Sequence, residues 1–390
     1  MVYGYGGWKS NFTLAQMTDL RSKVAIVTGS NSGVGKETAR QLALHGANVH
    51  LACRNPKKAE DAAKDIQSSL DSKEPHSEEG DPKSGPKYPG GSVHADQAVD
   101  LSDVRAVQNY AENFKKGNDR LDILICNAAI VPPEFTKGKA PELEVAFVTS
   151  HLSHMLMIDQ FLPLLQSTAR KQQEETGKSD VRVVIVAADV TGYVDNRLLN
   201  PMKVSEEWLL NDIAEKKETY GAGAYLRTKI CNVLFTRKLA QKLGDPKDNG
   251  VRVNVIHPGV ISTEIFHSRS HADNSEDSKP GLGERLVRKA FNSNLVSMPP
   301  PKGAWNSLYA ACAAEVQEKN YQGEYFFPWG NRRTPDICKI GKDDSVAQKL
   351  WEFSTRQLRE ATGNEDAVKN LDNVGAYTAQ HSTQPQAATQ

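Results

Sequence analysis

Tyr225 and Lys229 stand four residues apart in this 390-residue chain. On a helix that spacing puts a phenol and an amine on one face. The pair has the makings of an acid/base site. An unperturbed tyrosine titrates near pH ~10, too high for a base at neutral pH, and a nearby ammonium is expected to favour the phenolate. A second group lies near the start of the chain, Thr28-Gly29-Ser30-Asn31-Ser32-Gly33-Val34-Gly35. Gly29 allows a tight turn, while Gly33 and Gly35 let backbone and helix come close to a pyrophosphate, whose charge meets the positive end of the following helix. Each group alone is weak evidence, because a Tyr packed on a helix and an ordinary Gly-rich loop look the same. The loop gains weight from its setting between an apolar run, Val24–Thr28, and a helical pattern, Gly33–His45.

That setting reads as a site for a nicotinamide dinucleotide, and the end of the next apolar run bears on which one. An NAD site usually carries Asp or Glu about 20 residues after the first Gly, whereas a cation there suits the 2′-phosphate of NADP. Here the run ends Cys53-Arg54-Asn55, with no carboxylate between Val49 and Asn55. Arg54 can pair with a phosphate, Lys36 can assist, and NADP(H) is expected over NAD(H). The plainer alternative is a solvated surface arginine.

These groups need a scaffold, and the chain spells one out. Short apolar runs at Val24–Thr28, Asn48–Cys53, Val93–Leu101, Leu121–Cys126, Val181–Ala187 and Val251–His257 read as strands. Helical patterns fall between them at Gly33–His45, from Pro56, and at Ser102–Lys116, Glu142–Leu165 and Gly223–Leu243. Alternation of this kind predicts an α/β fold, a doubly wound parallel sheet of Rossmann type, with right-handed crossovers. It would form one domain over 20–330, after an N-terminal extension over 1–19. The polar stretch 68–92 is expected to be a flexible surface insertion. A helical C-terminal extension is expected over 331–362, with an apolar stripe of Val346, Leu350, Phe353 and Leu358, and a disordered tail over 363–390.

Composition narrows the classes. Lys+Arg and Asp+Glu number 48 each, so the basic excess of a nucleic-acid binder is missing. Five scattered cysteines without a CxxC pair speak against zinc or redox work and for a reducing, intracellular and cytoplasmic setting. Met1–Gln16 lacks the apolar region of a secretory signal, and no apolar run approaches the ~18–20 residues of a membrane span. Peripheral contact with a membrane or lipid droplet stays open through Tyr3, Tyr5, Trp8 and Phe12, for which packing on the body is the simpler expectation. His151 and His154 are expected to pack a helix, and Met155 and Met157 to fill the core; no metal site is expected.

With these segments in order, the chain resembles the short-chain dehydrogenases/reductases, in the branch of the retinol dehydrogenases and WW-domain oxidoreductase. The resemblance spans about Leu20 to Trp329. It rests on TGSNSGVGKETA at Thr28–Ala39, ACRN at Ala52–Asn55, DLSD at Asp100–Asp103, CNAA at Cys126–Ala129, Tyr225-Leu226-Arg227-Thr228-Lys229 and HPGVISTEI at His257–Ile265. It implies an oxidoreductase that passes a hydride between NADP(H) and a hydrophobic alcohol or carbonyl, such as a retinoid, steroid or lipid aldehyde. Tyr225 would be the acid/base group and Lys229 its partner, also bonding the nicotinamide ribose. Thr28, Gly29, Ser32, Gly33, Val34, Gly35 and Arg54 would hold the phosphates. Asp100 and Leu101 would contact the adenine, Asn127 and Ala128 the cleft, and Pro258, Gly259, Val260 and Thr263 the nicotinamide. A homodimer, paired through the helices carrying Tyr225 and Ser150, is possible by the same analogy.

Two family positions differ. The family's catalytic Ser after the fifth strand falls at Ala188, and its Asn, in a pattern like Asn-His-Leu-Gly-His, falls at Ser150 of Ser150-His151-Leu152-Ser153-His154. Losing one donor to a developing oxyanion typically costs ~10²–10³ in rate. Ser150 can still hydrogen-bond. Thr191 reaches the substrate oxygen only if its loop bends inward, and a turn hydroxyl is an equal reading; Asp189 is a poorer substitute. A dinucleotide-binding protein with weak or no turnover is therefore the alternative to an enzyme.

Overall fold

A computed structural model describes residues 12–72, 89–95, 97–132, 135–190, 222–259, 261 and 298–374. Its sheet has the order β3-β2-β1-β4-β5-β6-β7-β8, where β1 is Val24–Thr28, β2 Asn48–Ala52, β3 Ser92–His94, β4 Ile123–Cys126, β5 Val181–Val186, β6 Val251–Ile256, β7 Tyr325–Phe327 and β8 Asn331–Arg332. All pairs are parallel except β7 with β8. Strands β4, β5 and β6 are buried at every residue. Unbroken Val/Ile runs therefore mark strands covered on both faces. The chain order reverses between β1 and β4, and an open sheet of this kind leaves a crevice at such a switch point.

The two faces have separate cores. Against one lie α1 (Gly33–Leu44), α2 (Pro56–Asp71) and α6 (Pro300–Cys312), with Leu42, Ile66, Leu308 and the N-terminal Phe12, Leu14 and Met17. Phe12 meets Tyr309 edge-on at 5.6 Å, which is the packing expected of it; Tyr3, Tyr5 and Trp8 lie outside the described residues. Against the other face lie α3 (Val104–Gly117), α4 (Ser153–Thr176), α5 (Ala222–Leu243) and α7 (Asp344–Thr362), with Phe114, Phe161, Leu234 and Trp351 in the core. Met155 and Met157 are buried there.

Several expected boundaries move. The third strand is Ser92–His94 rather than Val93–Leu101, continued only by a bridge from Cys53 to Ala98. Residues 68–71, expected in the insertion, finish α2, and the stretch 73–88 lies outside the described residues. The helix expected at Glu142–Leu165 begins with a turn at Val145–Phe147, where the Glu144 carboxylate accepts from the Ala146 and Phe147 amides, passes through a π-helical turn at Val148–Leu152, and continues to Thr176. Its polar second half is sealed by hydrogen bonds that hydropathy does not register. Thr168 Oγ1 accepts from Leu121 N at 3.0 Å, and Gln172 Nε2 donates to buried Asp122 at 2.6 Å. Strands β7 and β8 and helix α6 were not anticipated, because three-residue strands and an Ala/Gly-rich buried helix carry no readable period.

The C-terminal segment departs most from expectation. Residues 363–374, expected in a disordered tail, pack on the body, with Val368, Leu371 and Val374 buried; 375–390 lie outside the described residues. Asp159 on α4 accepts from Leu371 N at 2.8 Å and from Asn370 Nδ2. Helix α7 covers α5, with Trp351 stacked on Phe235 at 5.7 Å and Arg237 paired with Asp344 at 3.1 Å. The helices through which the resemblance implies pairing are thus partly covered by the chain's own C-terminal segment.

Burial pushes Asp159 up to about 6, against the hydrogen bonds from Leu371 and Asn370. A carboxyl whose pKa is raised on folding favours the folded state when protonated, so its contribution fades as pH rises from about 4 to about 6. Asp159→Asn, which has no proton to lose, should flatten that part of the urea-stability profile. Equal slopes for the two proteins between pH 4 and 6 would contradict this.

Candidate active site

The crevice at the switch point is a cleft of about 670 Å³. It is lined by Gly29, Ser32, Gly33, Val34, Gly35, Arg54, Asp100, Leu101, Asn127, Ala128, Tyr225, Lys229, Pro258 and Gly259. Val260, Thr263 and Thr191 lie outside the described residues. Gly29 turns the chain at φ +64°, where a Cβ would stand 2.9 Å from Ala128 Cα; the glycine is required by both conformation and space. Ser32 is the N-cap of α1, yet its hydroxyl makes no capping bond. The positive end of α1 therefore opens on the cleft without a side-chain cap, as an anion site needs.

Thr28 is not on the cleft wall. Its side chain is fully buried, and its Oγ1 accepts from Asn127 N and Ala128 N, both at 2.9 Å. Its proton then goes to His154 Nε2 at 2.9 Å, whose Nδ1 donates to Ser150 O at 3.1 Å. Burial, helped by Lys229, pushes His154 down to about 3, so the ring is neutral and this tautomer is consistent. Asn127 Nδ2 completes the knot by donating to Thr28 O at 2.9 Å. Thr28 thus fastens β1 to β4 beneath the cleft through its hydroxyl.

At the other end Arg54 is exposed on the cleft rim, with no ion-pair partner among the described residues. Lys36, expected to assist it, is bound to Asp65 at 2.7 Å and does not line the cleft. Lys137 and Lys139 do line it, and were not anticipated. Lys139 Nζ holds Asp100 Oδ2 at 2.7 Å, while Ser102 Oγ donates to Asp100 Oδ1 at 2.8 Å.

Tyr225 and Lys229 share one wall, with Lys229 Nζ 5.4 Å from the Tyr225 ring centre. Their ionisation reverses the expectation from spacing. Burial pushes Tyr225 up to about 12, and burial pulls Lys229 down to about 7. The ammonium does not win because it is itself desolvated, being 1% exposed; its Nζ donates to Val186 O at 2.8 Å. Ser150 sits in the π-helical turn with its Oγ buried and without a hydrogen-bond partner among the described residues; its neighbour Thr149, not Ser150, lines the cleft. π-helical turns are rare and often mark functional positions. Ala188 follows β5, its carbonyl held by Tyr325 Oη at 2.6 Å, while Val190 N donates to the same hydroxyl at 3.2 Å. Beyond β6, Asn306 Nδ2 ties down His257 O at 2.8 Å and Phe326 O at 2.9 Å, steadying Pro258 and Gly259. Tyr325 and Asn306 escaped the sequence reading because each acts from an element that was itself unreadable.

Comparison with known proteins agrees with this architecture. The family pattern described as short chain dehydrogenase matches residues 23–81. The chain is 31% identical to a WW domain-containing oxidoreductase from Gallus gallus over 92% of its own length and 73% of the relative's. It is 30% identical to retinol dehydrogenase 14 from Mus musculus, over 86% and 85%. The crystal structure of L-sorbose reductase from Gluconobacter frateurii, complexed with NADPH and L-sorbose, superposes with a TM-score of 0.53 at 18% identity, covering 81% of this chain and 98% of that one. The chain belongs to the short-chain dehydrogenase/reductase family of oxidoreductases, in its retinol dehydrogenase-like branch, and that family uses a nicotinamide dinucleotide. Among the described residues no helix is long and apolar enough to cross a membrane. All five cysteines are buried, and none forms a disulfide.

Proposed function

We propose that this protein is an NADP(H)-dependent oxidoreductase acting on a hydrophobic alcohol or carbonyl, with Tyr225 as acid/base group and Lys229 as its partner. The observation that carries the reading is one cleft that holds an uncapped helix N-terminus, Arg54 at its rim with no ion-pair partner among the described residues, and the Tyr225–Lys229 pair on its wall. The glycine-lined end suits a pyrophosphate, and Arg54 suits a 2′-phosphate. The dinucleotide, when bound, supplies the hydride chemistry. Tyr225 handles the proton, giving it to the carbonyl oxygen in reduction and taking it from the carbinol in oxidation. A hydrophobic substrate, retinoid, steroid or lipid-like, is inferred from relatives named as retinol dehydrogenases. NADPH titration followed by a carbonyl panel tests the whole reading; absence of binding would sink it.

Arg54 gives the cofactor preference its own test. A charge-assisted bond to phosphate is worth about 1.5–3 kcal/mol. Arg54→Ala should weaken NADPH roughly 10- to 150-fold in a fluorescence titration and leave NADH unchanged. A parallel loss for both dinucleotides would mean that Arg54 does not read the 2′-phosphate.

The second reading, a dinucleotide-binding protein with weak or no turnover, is favoured by one observation: Ala188 offers no hydroxyl at the family's Ser position. It expects NADPH binding without consumption across the panel.

A further inference from the structure

Lys229 is the end of a buried chain of hydrogen bonds that starts in the C-terminal helix. Ser354 on α7, His151 in the π-helical turn, Asn232 on α5 and Lys229 itself are each no more than 1% exposed. Asn232 follows Tyr225 by seven residues and Lys229 by three, so all three share one helix face. Its Nδ2 donates to Val186 O at 3.3 Å, the same carbonyl that takes Lys229 Nζ at 2.8 Å. That leaves Asn232 Oδ1 as an acceptor toward His151 Nδ1 at 3.2 Å. His151 is neutral, pulled down to about 4 by burial, so with the proton on Nδ1 its Nε2 must accept. Ser354 Oγ, 3.3 Å away, is the donor. Each group fixes the orientation of the next, and aromatic rings lock the path. Phe235 meets His151 edge-on at 5.7 Å and stacks on Trp351 of α7, one helical turn before Ser354.

We propose that Asn232, His151 and Ser354 are positioning residues for Lys229, and that α7 is thereby part of the catalytic apparatus rather than a cover over the core. Asn232 donates from the same helix to the carbonyl that takes the lysine, in a chain whose family Asn position is Ser150 and whose Ser150 hydroxyl makes no bond among the described residues. A fully connected buried network has a single arrangement, because breaking any link leaves a polar group unpaired in a low-dielectric interior. Here one end of that network is the amine of the acid/base pair.

The inference rests on the reading of Lys229 as the partner of Tyr225, so its test uses no substrate or dinucleotide. Lysine side-chain nitrogens are followed by NMR in the full chain, ¹⁵N-labelled at Nζ, and Lys229 is identified by the signal lost in Lys229→Met. The titratable groups facing Lys229 are Cys126 on β4, His154 on α4 and Tyr225 on its own helix, and none is altered by the variants. Asn232→Asp removes the donor to the shared carbonyl and puts a negative charge on the helix face of Lys229, which should raise the Lys229 midpoint by one pH unit or more, a tenfold change in its ionisation. Ser354→Ala, a change of one buried oxygen, should displace the Lys229 midpoint by about half a unit while the protein stays folded by circular dichroism. A lysine midpoint unmoved in both variants, with only a lowered Tm, would overturn the proposal, since that is the outcome of a network that merely packs. A midpoint moved by Asn232→Asp but not by Ser354→Ala would overturn the part assigned to α7. Failure of the protein to bind NADPH, by contrast, would leave this titration readable and would count against the proposed function alone.

Discussion

Tyr225→Phe should lower NADPH-dependent carbonyl reduction by about 10²–10⁴-fold while leaving NADPH affinity within about twofold. The substitution keeps the ring, its packing and the nearby ammonium, and removes only the oxygen that exchanges the proton. Single-turnover absorbance at saturating NADPH reads the loss, and fluorescence titration reads the binding. The pH profile adds a second signature. Lys229 is charged below about 7 and neutral above it, so if its ammonium supports Tyr225, wild-type turnover should decline through that value as pH rises. Equal rates for wild type and Tyr225→Phe would remove Tyr225 from the chemistry and move the site elsewhere in the cleft.

The fold was readable where periodicity and glycine punctuation agree. Runs such as Val181–Ala187 and Val251–His257 announced buried parallel strands, and the loop after Val24–Thr28 announced the switch point, because continuous Val/Ile next to a Gly-rich turn has few other uses. The misplaced ends of α4 and of the C-terminal segment share a cause: hydrogen bonds to partners distant in the chain. Thr168 and Gln172 extend α4 past its expected end by bonding Leu121 and Asp122, and Asn370 and Leu371 anchor a segment that hydropathy assigns to solvent. Composition counts such residues as exposed because it cannot see the partner arriving from elsewhere in the chain.

The candidate site divides in the same way. Glycines whose role is conformational, such as Gly29, were legible from sequence alone. Residues whose role depends on which way they face were not. The Thr28 hydroxyl, expected to face the cofactor, is engaged between two strands, while Lys36, expected to assist Arg54, is paired with Asp65. The charge balance of Tyr225 and Lys229 was read from their spacing, which gives proximity but not desolvation. Burial acts on both groups and opposes charge on each, so the neutral phenol and the easily deprotonated amine emerge only once the surroundings are known.

Ala188→Ser should raise turnover by about 10²–10³-fold if the protein is an enzyme working without its family's usual hydroxyl, since that is the worth of one preorganised donor to a developing oxyanion. Geometry supports asking this of position 188. The carbonyl of Ala188 is fixed by the Tyr325 hydroxyl at 2.6 Å, so a Ser introduced there inherits a backbone already held in place. Preorganisation is what makes such a donor effective, and Tyr325→Phe on the Ala188→Ser background should therefore forfeit part of the gain. The measurement is kcat on the best carbonyl of the panel at saturating NADPH, with NADPH affinity as the control. A gain confined to kcat identifies an enzyme limited by one missing donor. No gain, with NADPH bound as tightly as in wild type, favours the reading in which the cleft holds a dinucleotide without consuming it, because Tyr225 and Lys229 would then be present without a substrate oxygen for the new hydroxyl to meet.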